Sequence, residues 1–294
     1  MELRFTKSNN TKHKITLESV LVYAEWTQGV AYAGSGAGLE VGTLFVGEGA
    51  PLEIQALTDS GKKLGNLTGK LYQNRFHGVV KIPANAKVGE AIYFQVKCPK
   101  NDLHGKSQRI PILPALRVSN LQWSTDVARR GDWSTLSADV QNALDETDAM
   151  ITIYKSDHDG AHDKVVELRT HIRGEKMKLT WEYQYSDDTA EIASQREMEQ
   201  YGVNYSPPEY FFTLKIGEDE YGKQRESGLL RFKDYIEFFA RYTDGTPIVN
   251  TECNVTLPDG SQKQMTTDEN GYVRIDHVPP GPYTVHVSEP TESA

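Results

Sequence analysis

Cysteine is almost missing from this chain: two in 294 residues, Cys98 and Cys253. They fall in segments that read as different modules. A buried inter-sheet disulfide would need both in one module, and a disulfide-stapled extracellular scaffold would need more. Two small buried or half-buried thiols are expected. No apolar run is long enough to cross a bilayer as a helix. Residues 1–20 are polar and charged and lack the apolar core of a secretory signal peptide. The expectation is synthesis in the cytosol, with any exit by a non-standard route. An excess of cations is also absent: 32 Lys and Arg against 41 Asp and Glu leave a net charge of −9. Nucleic acid and anionic membrane surfaces need a basic face, so neither is expected as a partner. The charge reads as a solubility charge spread over several surfaces.

What is present favours strands and turns: 24 Gly, 13 Pro and 15 Tyr, in a chain long enough for two or three domains. The tail is the plainest part. Asp244-Gly245, Asp259-Gly260, Asn270-Gly271 and Pro280-Gly281 are closely spaced turn signals. Between them Val255/Leu257, Val273/Ile275 and Tyr283/Val285/Val287 alternate with polar residues, the period of half-buried strands. Residues 235–294 therefore read as a small antiparallel β-domain, too small for a large core and suited to docking through loops and edges.

Residues 115–234 read as a β-sandwich of seven short strands: LRVSNLQW, STLSADV, AMITIYK, KVVELRTH, KMKLTWEY, EYFFTLKI and SGLLRFK. Trp123, Trp133 and Trp181 are its expected core plugs. The polar segment 186–208 interrupts it as an inserted loop, with a short helix over TAEIASQREMEQ ended by Gly202 and Pro207-Pro208. Residues 1–114 look like a diverged copy, with VLVYAEW, PLEIQAL, GKLYQN, FHGVVKIP, AIYFQVKC and SQRIPIL as strands. Trp26 ends its first strand as Trp123 ends the counterpart, and 93–113 aligns with 211–232 as strand, charged Gly-Lys turn, strand. The segment 29–50 lacks strand alternation and is an expected site of early proteolysis, although LEVGTLFVGEG within it reads as strand and turn.

No catalytic, cofactor-binding or metal-ligating residue is assigned. Gly34-Ser35-Gly36-Ala37-Gly38 has no amphipathic helix after it, which a phosphate-binding loop needs, so it reads as a connection or bulge. Asp157-His158-Asp159-Gly160-Ala161-His162-Asp163 has the four-residue His spacing of zinc helices, but Gly160 intervenes and strands flank it. A solvated hairpin loop is expected. His77, His104, His171, His277 and His286 are scattered, and Glu218-Asp219-Glu220 sits at a hairpin turn. Gly-x-Ser-x-Gly, His-Glu-x-x-His and Cys-x-x-Cys are all absent.

WEYQYSDDT, the acidic insertion, PPEYFFTLKIG and SGLLRFKDYIEF together resemble a module of bacterial contractile injection systems. The following DGTPIVN and VTLPDGSQKQMTTDENGYVRIDHVPPGPYTVHV resemble the transthyretin-like extension of type VI secretion spike proteins. The strand and turn pattern reads as an all-β chain, two tandem immunoglobulin-like β-sandwiches followed by a small transthyretin-like β-domain, and the resemblance covers about 117–288 of it. The resemblance implies a non-enzymatic adaptor that tethers a spike, tip or effector protein, loaded in the cytosol and exported, if at all, by the injection apparatus. No spike helix or toxin domain accompanies it. Two other readings stay open. One is a carbohydrate- or peptidoglycan-binding surface protein. The other is an injected effector with a metal-dependent hydrolytic site built from 156–163 and 186–208.

Overall fold

A computed structural model describes residues 15–156, 160, 162–183, 199, 202, 207–279 and 281–288. It divides into two compact units, residues 1–116 with 217–219, and residues 117–216 with 220–294.

In the first unit nine strands follow one another: β1 (Val20–Trp26), β2 (Ala31–Tyr32), β3 (Gly36–Leu44), β4 (Ala50–Thr58), β5 (Lys63–Leu71), β6 (Arg75–Lys81), β7 (Ala91–Cys98), β8 (Leu103–Lys106) and β9 (Ile110–Leu113). They pair as β1-β3-β6 and as β2-β9-β7-β4-β5, with β8 beside β7. The entering chain crosses from one sheet to the other: β1 pairs antiparallel with β3, while β2 pairs parallel with β9. This is an immunoglobulin-like sandwich. Period-2 alternation is clearest in β4 and β7, whose inward Leu52, Ile54, Ala56, Ile92, Phe94, Val96 and Cys98 are buried. The glycine run expected as a connection or bulge opens the middle strand of the first sheet, which continues through the segment 39–44 that reads as strand in the sequence. Its glycines and alanines are buried on both faces, so no alternation appears in the sequence. A side chain at Gly42 would fall on the Tyr23 ring, which is why only glycine fits beneath it.

The second unit repeats the plan with β10 (Arg117–Trp123), β11 (Val127–Ala128), β12 (Trp133–Gln141), β13 (Thr147–Lys155), β14 (Asp163–Arg173), β15 (Lys176–Glu182), β16 (Glu209–Ile216), β17 (Asp219–Tyr221) and β18 (Leu230–Phe232). The order β10-β12-β15-β14-β13-β16-β18-β11 matches the first unit strand for strand, including the parallel pairing of β11 with β18. Among the described residues the two sheets stay joined at the β14–β15 hairpin, through Ile172↔Met177 and Arg173↔Lys176.

The internal repeat extends to single interactions. Trp26 meets Phe94 edge-on with centroids 4.9 Å apart, and Trp123 meets Phe212 edge-on at 5.2 Å. The Phe94 amide donates to Ser107 Oγ at 3.0 Å, and the Phe212 amide donates to Ser227 Oγ at 3.1 Å. In both copies that serine hydroxyl donates onward to the next residue's carbonyl. The aligned segments 93–113 and 211–232 thus occupy equivalent places. The tryptophan expectations divide. Trp26 is 4% exposed, whereas Trp123 and Trp181, which pack against each other with centroids 6.0 Å apart, are only half-buried. Trp133 is 64% exposed and is no core plug. It lies opposite Glu182 on the outward rung of β12, while Ser134 takes the inward rung, so the period of 2 turns the indole to solvent.

The tail contributes β19 (Asp234–Phe239), β20 (Glu252–Thr256), β21 (Gln262–Thr266), β22 (Tyr272–Val278) and β23 (Thr284–Val287), paired as β19-β22 and β21-β20-β23. Val255, Leu257, Val273, Ile275 and Val278 form a small core with Ile236, Phe238, Met265 and Val285 packed around it. Tyr283 and Val287, expected to alternate inward, are more than a third exposed. The tail is not held by its core alone. Only Lys233 separates β18 from β19. The Tyr235 ring meets the guanidinium of Arg274, 4.0 Å from its centroid, and that of Arg129 on the second sandwich, 4.7 Å away. Asp276 accepts from Arg274 at 2.9 Å and offsets the paired cations.

Two outcomes follow from this packing. Trp26→Ala is expected to destabilise the chain by about 3–5 kcal/mol in urea unfolding, as a truncated buried indole does, whereas Trp133→Ala stays within about 0.5 kcal/mol. Tyr235→Ala removes both cation–π contacts, each worth about 0.5–2 kcal/mol. Hydrogen exchange across β19 and β22 should then accelerate, while Tyr235→Phe, which keeps the ring, should leave it unchanged.

Candidate functional site: the loop end of the first sandwich

Antiparallel register brings four segments of the first unit to one end. Val20 lies opposite Leu44, Gly42 opposite Arg75, Ala50 opposite Leu71, and Cys98 opposite Leu103. That end therefore carries the chain entering β1, the β3–β4 connection 45–49, the β5–β6 turn 72–74 and the β7–β8 turn 99–102. Large apolar side chains concentrate there in water. Phe45 is 53% and Tyr72 59% exposed, and Ile15, Leu17, Val20 and Leu44 are exposed beside them. Single exposed apolar residues are ordinary; a group of this kind on one end marks an interaction surface.

Phe45 has φ = 57°, the left-handed region that a bulky residue rarely enters. The turn needs it because Val46, the next residue, is 7% exposed and plugs the core, so the reversal throws the Phe45 ring outward. Neighbouring loops hold the strained residue on both sides. The Asn74 carbonyl accepts from the Thr43 amide at 2.9 Å and from Thr43 Oγ1 at 3.2 Å. Asn74 Oδ1 accepts from the Val46 amide at 3.2 Å. Ser19 Oγ donates to the Phe45 carbonyl at 2.9 Å and itself accepts from Asn101 Nδ2 at 3.1 Å. The Glu48 carboxylate accepts from the Gln73 amide at 2.9 and 3.1 Å, tying the two turns together. A left-handed non-glycine residue costs about 1–3 kcal/mol and persists only where its surroundings over-determine it. All four loops contribute here, so the aromatic ring is presented on a rigid support.

The sequence reading did not single out this end. Leu44-Phe45-Val46 is an uninterrupted apolar run, which reads as buried strand. Only the backbone reversal at Phe45 separates the exposed ring from its buried neighbours.

The other segments weighed in the sequence lie elsewhere. Gly34 makes the turn into β3, its amide donating to the Ile82 carbonyl at 3.1 Å, and Gly36 and Gly38 lie within β3. The glycine run is thus a turn and a central strand, not a flexible connection. Asp157, His158, Asp159 and Ala161 lie outside the described residues, as does most of 186–208 with its expected helix. His162 packs edge-on against Phe211 at 4.9 Å, with Nε2 3.4 Å from Arg225 Nη2. The insertion is flanked by Tyr183 and Tyr210, a buried pair whose hydroxyls are 2.9 Å apart. Among the described residues no group of three His, Cys, Asp or Glu side chains could hold a metal ion. Cys98 and Cys253 are both buried and free, and burial pushes each thiol above its ordinary range. Neither is expected to react with an aromatic disulfide reagent in the native chain, and both should react once urea unfolds it.

A family model for the carboxypeptidase regulatory-like domain matches residues 239–292, in keeping with a β-sandwich module at the tail. No curated protein matches. Among solved structures, Escherichia coli alpha-2-macroglobulin in its native conformation is similar at 9% identity and a TM-score of 0.28, over 92% of this chain and 21% of that one. The ICAM-5 D1–D4 ectodomain fragment is similar at 9% identity and a TM-score of 0.30, over 91% of this chain and 75% of that one. The BSP domain of a biofilm associated protein follows at 10% identity and a TM-score of 0.24, over 70% and 28%. The chain spans about a fifth of the length of the macroglobulin.

Proposed function

We propose that this chain is a non-enzymatic protein-binding module, and that the loop end of its first sandwich is the surface that docks. The observation that carries this is Phe45, an aromatic ring held in water in a strained conformation by hydrogen bonds from three other loops. Interface energy concentrates in a few aromatic anchors, and holding such an anchor rigid before binding lowers the entropy lost on association. Tyr72, on the turn tied to Glu48, supplies a second anchor with a polar tip. The resemblance of 117–288 to contractile injection system components supports a finer identity for the chain. It would be an adaptor, loaded in the cytosol, that tethers a spike, tip or effector protein, with three modules bounded near 114 and 235. The tail is the second docking element in this reading, because Phe239 is 57% exposed with the Arg241 guanidinium 5.5 Å from its ring.

Capture from a lysate of the native host tests it, with circular dichroism as the check on folding. Phe45→Ala with Tyr72→Ala is expected to reduce recovery of the specific partner by about tenfold or more, the loss of a hot-spot pair. A chain ending at residue 233 should recover less partner than the full chain and more than the double variant. Undiminished recovery by a folded double variant would overturn the assignment of the loop end. Identification of the recovered protein as unrelated to a spike, tip or effector would overturn the finer identity alone.

A further inference from the structure

The net charge of −9 is not shared evenly along the chain. Residues 1–116 carry 14 Lys and Arg against 9 Asp and Glu, whereas residues 117–294 carry 18 against 32. The first stretch is therefore +5 and the second −14, which together make the −9 of the whole. One chain thus holds two fields of opposite sign.

The cations of the first sandwich gather on the outer face of its larger sheet. Leu52, Ile54 and Ala56 of β4 are buried in the core, so Glu53, Gln55 and Leu57 face outward. Register carries those rungs across the sheet. Thr68, Asn66 and Lys63 of β5 lie opposite them on one side, and Lys97, Gln95 and Tyr93 of β7 on the other. Lys70 extends the face along β5, while His104 and Lys106 of β8 lie opposite Lys97 and Gln95. The middle is neutral, built of Gln55, Gln95 and the half-buried Leu57 and Tyr93. The rim is cationic. Arg109 is held by Asp59, but Lys63, Lys70, Lys97 and Lys106 are exposed and make no ion pair among the described residues. Glu53, opposite Lys97, is the one carboxylate on these rungs.

The tail has the opposite character: residues 235–294 hold 3 Lys and Arg against 9 Asp and Glu. Phe239 lies opposite Tyr272 and Glu252 opposite Thr266, so the connection 240–251 and the turn 267–271 share one end. Asp244, Glu252, Asp268 and Glu269 are exposed there, against Arg241 alone. The exposed rings of Phe239 and Tyr242 stand among them.

We propose that the basic face of one molecule receives the acidic end of the tail of a second copy of this chain. Carboxylates of the tail meet the lysine rim, and the two rings settle over the neutral middle. Complementary charge of this kind steers association and fixes which surfaces meet. The contact joins two different surfaces, so each molecule added leaves a free face and a free tail. This inference rests on the reading of the tail as a docking element and does not involve the loop end of the first sandwich. A single-stranded nucleic acid would seek open rings for stacking. Tyr93 is half-buried, with Lys106 Nζ 5.7 Å and the Arg109 guanidinium 5.6 Å from its centroid.

Sedimentation of the full chain over a concentration series tests this, with circular dichroism as the check on folding. At about 20 mM salt the average mass should rise with concentration beyond a dimer, and at about 0.5 M it should fall to one chain. Lys70→Glu with Lys97→Glu and Lys106→Glu should weaken association by about tenfold or more, a change of about 1.4 kcal/mol. Glu252→Lys with Glu269→Lys should do the same. A mixture of these two variants should associate more strongly than either alone, because one keeps the acidic tail and the other the basic face. Lys178→Glu, an exposed lysine of the second sandwich, should change nothing. Phe45→Ala with Tyr72→Ala should also leave association intact, which separates this contact from docking at the loop end. A full chain that stays monomeric at low salt would overturn the proposal, whether or not it binds a labelled single-stranded oligonucleotide. So would wild-type association in the folded triple-lysine variant, or a mixture that associates no more strongly than its parts.

Discussion

Each sandwich is closed by the same contact, a tryptophan at the end of the first strand set edge-on against a phenylalanine of the seventh. Trp26 with Phe94, and Trp123 with Phe212, bridge the two sheets where the entering chain crosses from one to the other. An indole is large enough to span the gap between facing sheets, and its edge-on approach to a second ring is favourable beyond the area it buries. The serine that accepts the phenylalanine amide fixes the strand carrying that ring, so sheet closure and ring placement depend on each other. Two copies with the same strand order and the same two devices are most simply one module, duplicated.

The copies have diverged in what they present to water. In the first, a left-handed Phe45 lets Val46 seal the core and sends a ring outward, and three other loops stabilise that conformation. In the second, the outward rungs of the first sheet carry hydroxyls and a lysine already paired with Asp139. The scaffold is equivalent in both and the surfaces are not, as expected where sites are grafted onto a shared fold. The tail follows a third course. Its core is small, and the Arg129–Tyr235–Arg274 cluster adds what so few buried residues cannot supply.

Period-2 alternation made most strands legible before any coordinates. VLVYAEW and AIYFQVKC coincide with β1 and β7, and the seven strands read in the second sandwich are all present. Turn chemistry was as clear: Gly245, Gly260 and Gly271 all take the positive φ their turns require. The failures share one cause, that alternation reports a strand with one covered face. β3 is covered on both faces, and its opening glycines read as a connection or bulge; β2, β11 and β17 are too short for a period. Trp133 was placed inside because a large apolar residue usually is, although its neighbour Ser134 holds the inward rung.

The sequence by itself determined the class of the fold, the repeat, and the small β-domain at the tail, because these follow from local periodicity and from glycines at turns. It also limited the chemistry, since the charge balance and the scarcity of cysteine are properties of composition. Only the tertiary structure decided which apolar residues face water and which cations lack a partner. Phe45 and Val46 are neighbours in sequence and opposites in burial because one backbone dihedral lies in the left-handed region. Lys176 and Lys178 differ in the same way, since Asp139 reaches one and not the other across a strand pair set by long-range register. Contacts of that kind depend on residues far apart along the chain, and no local pattern records them.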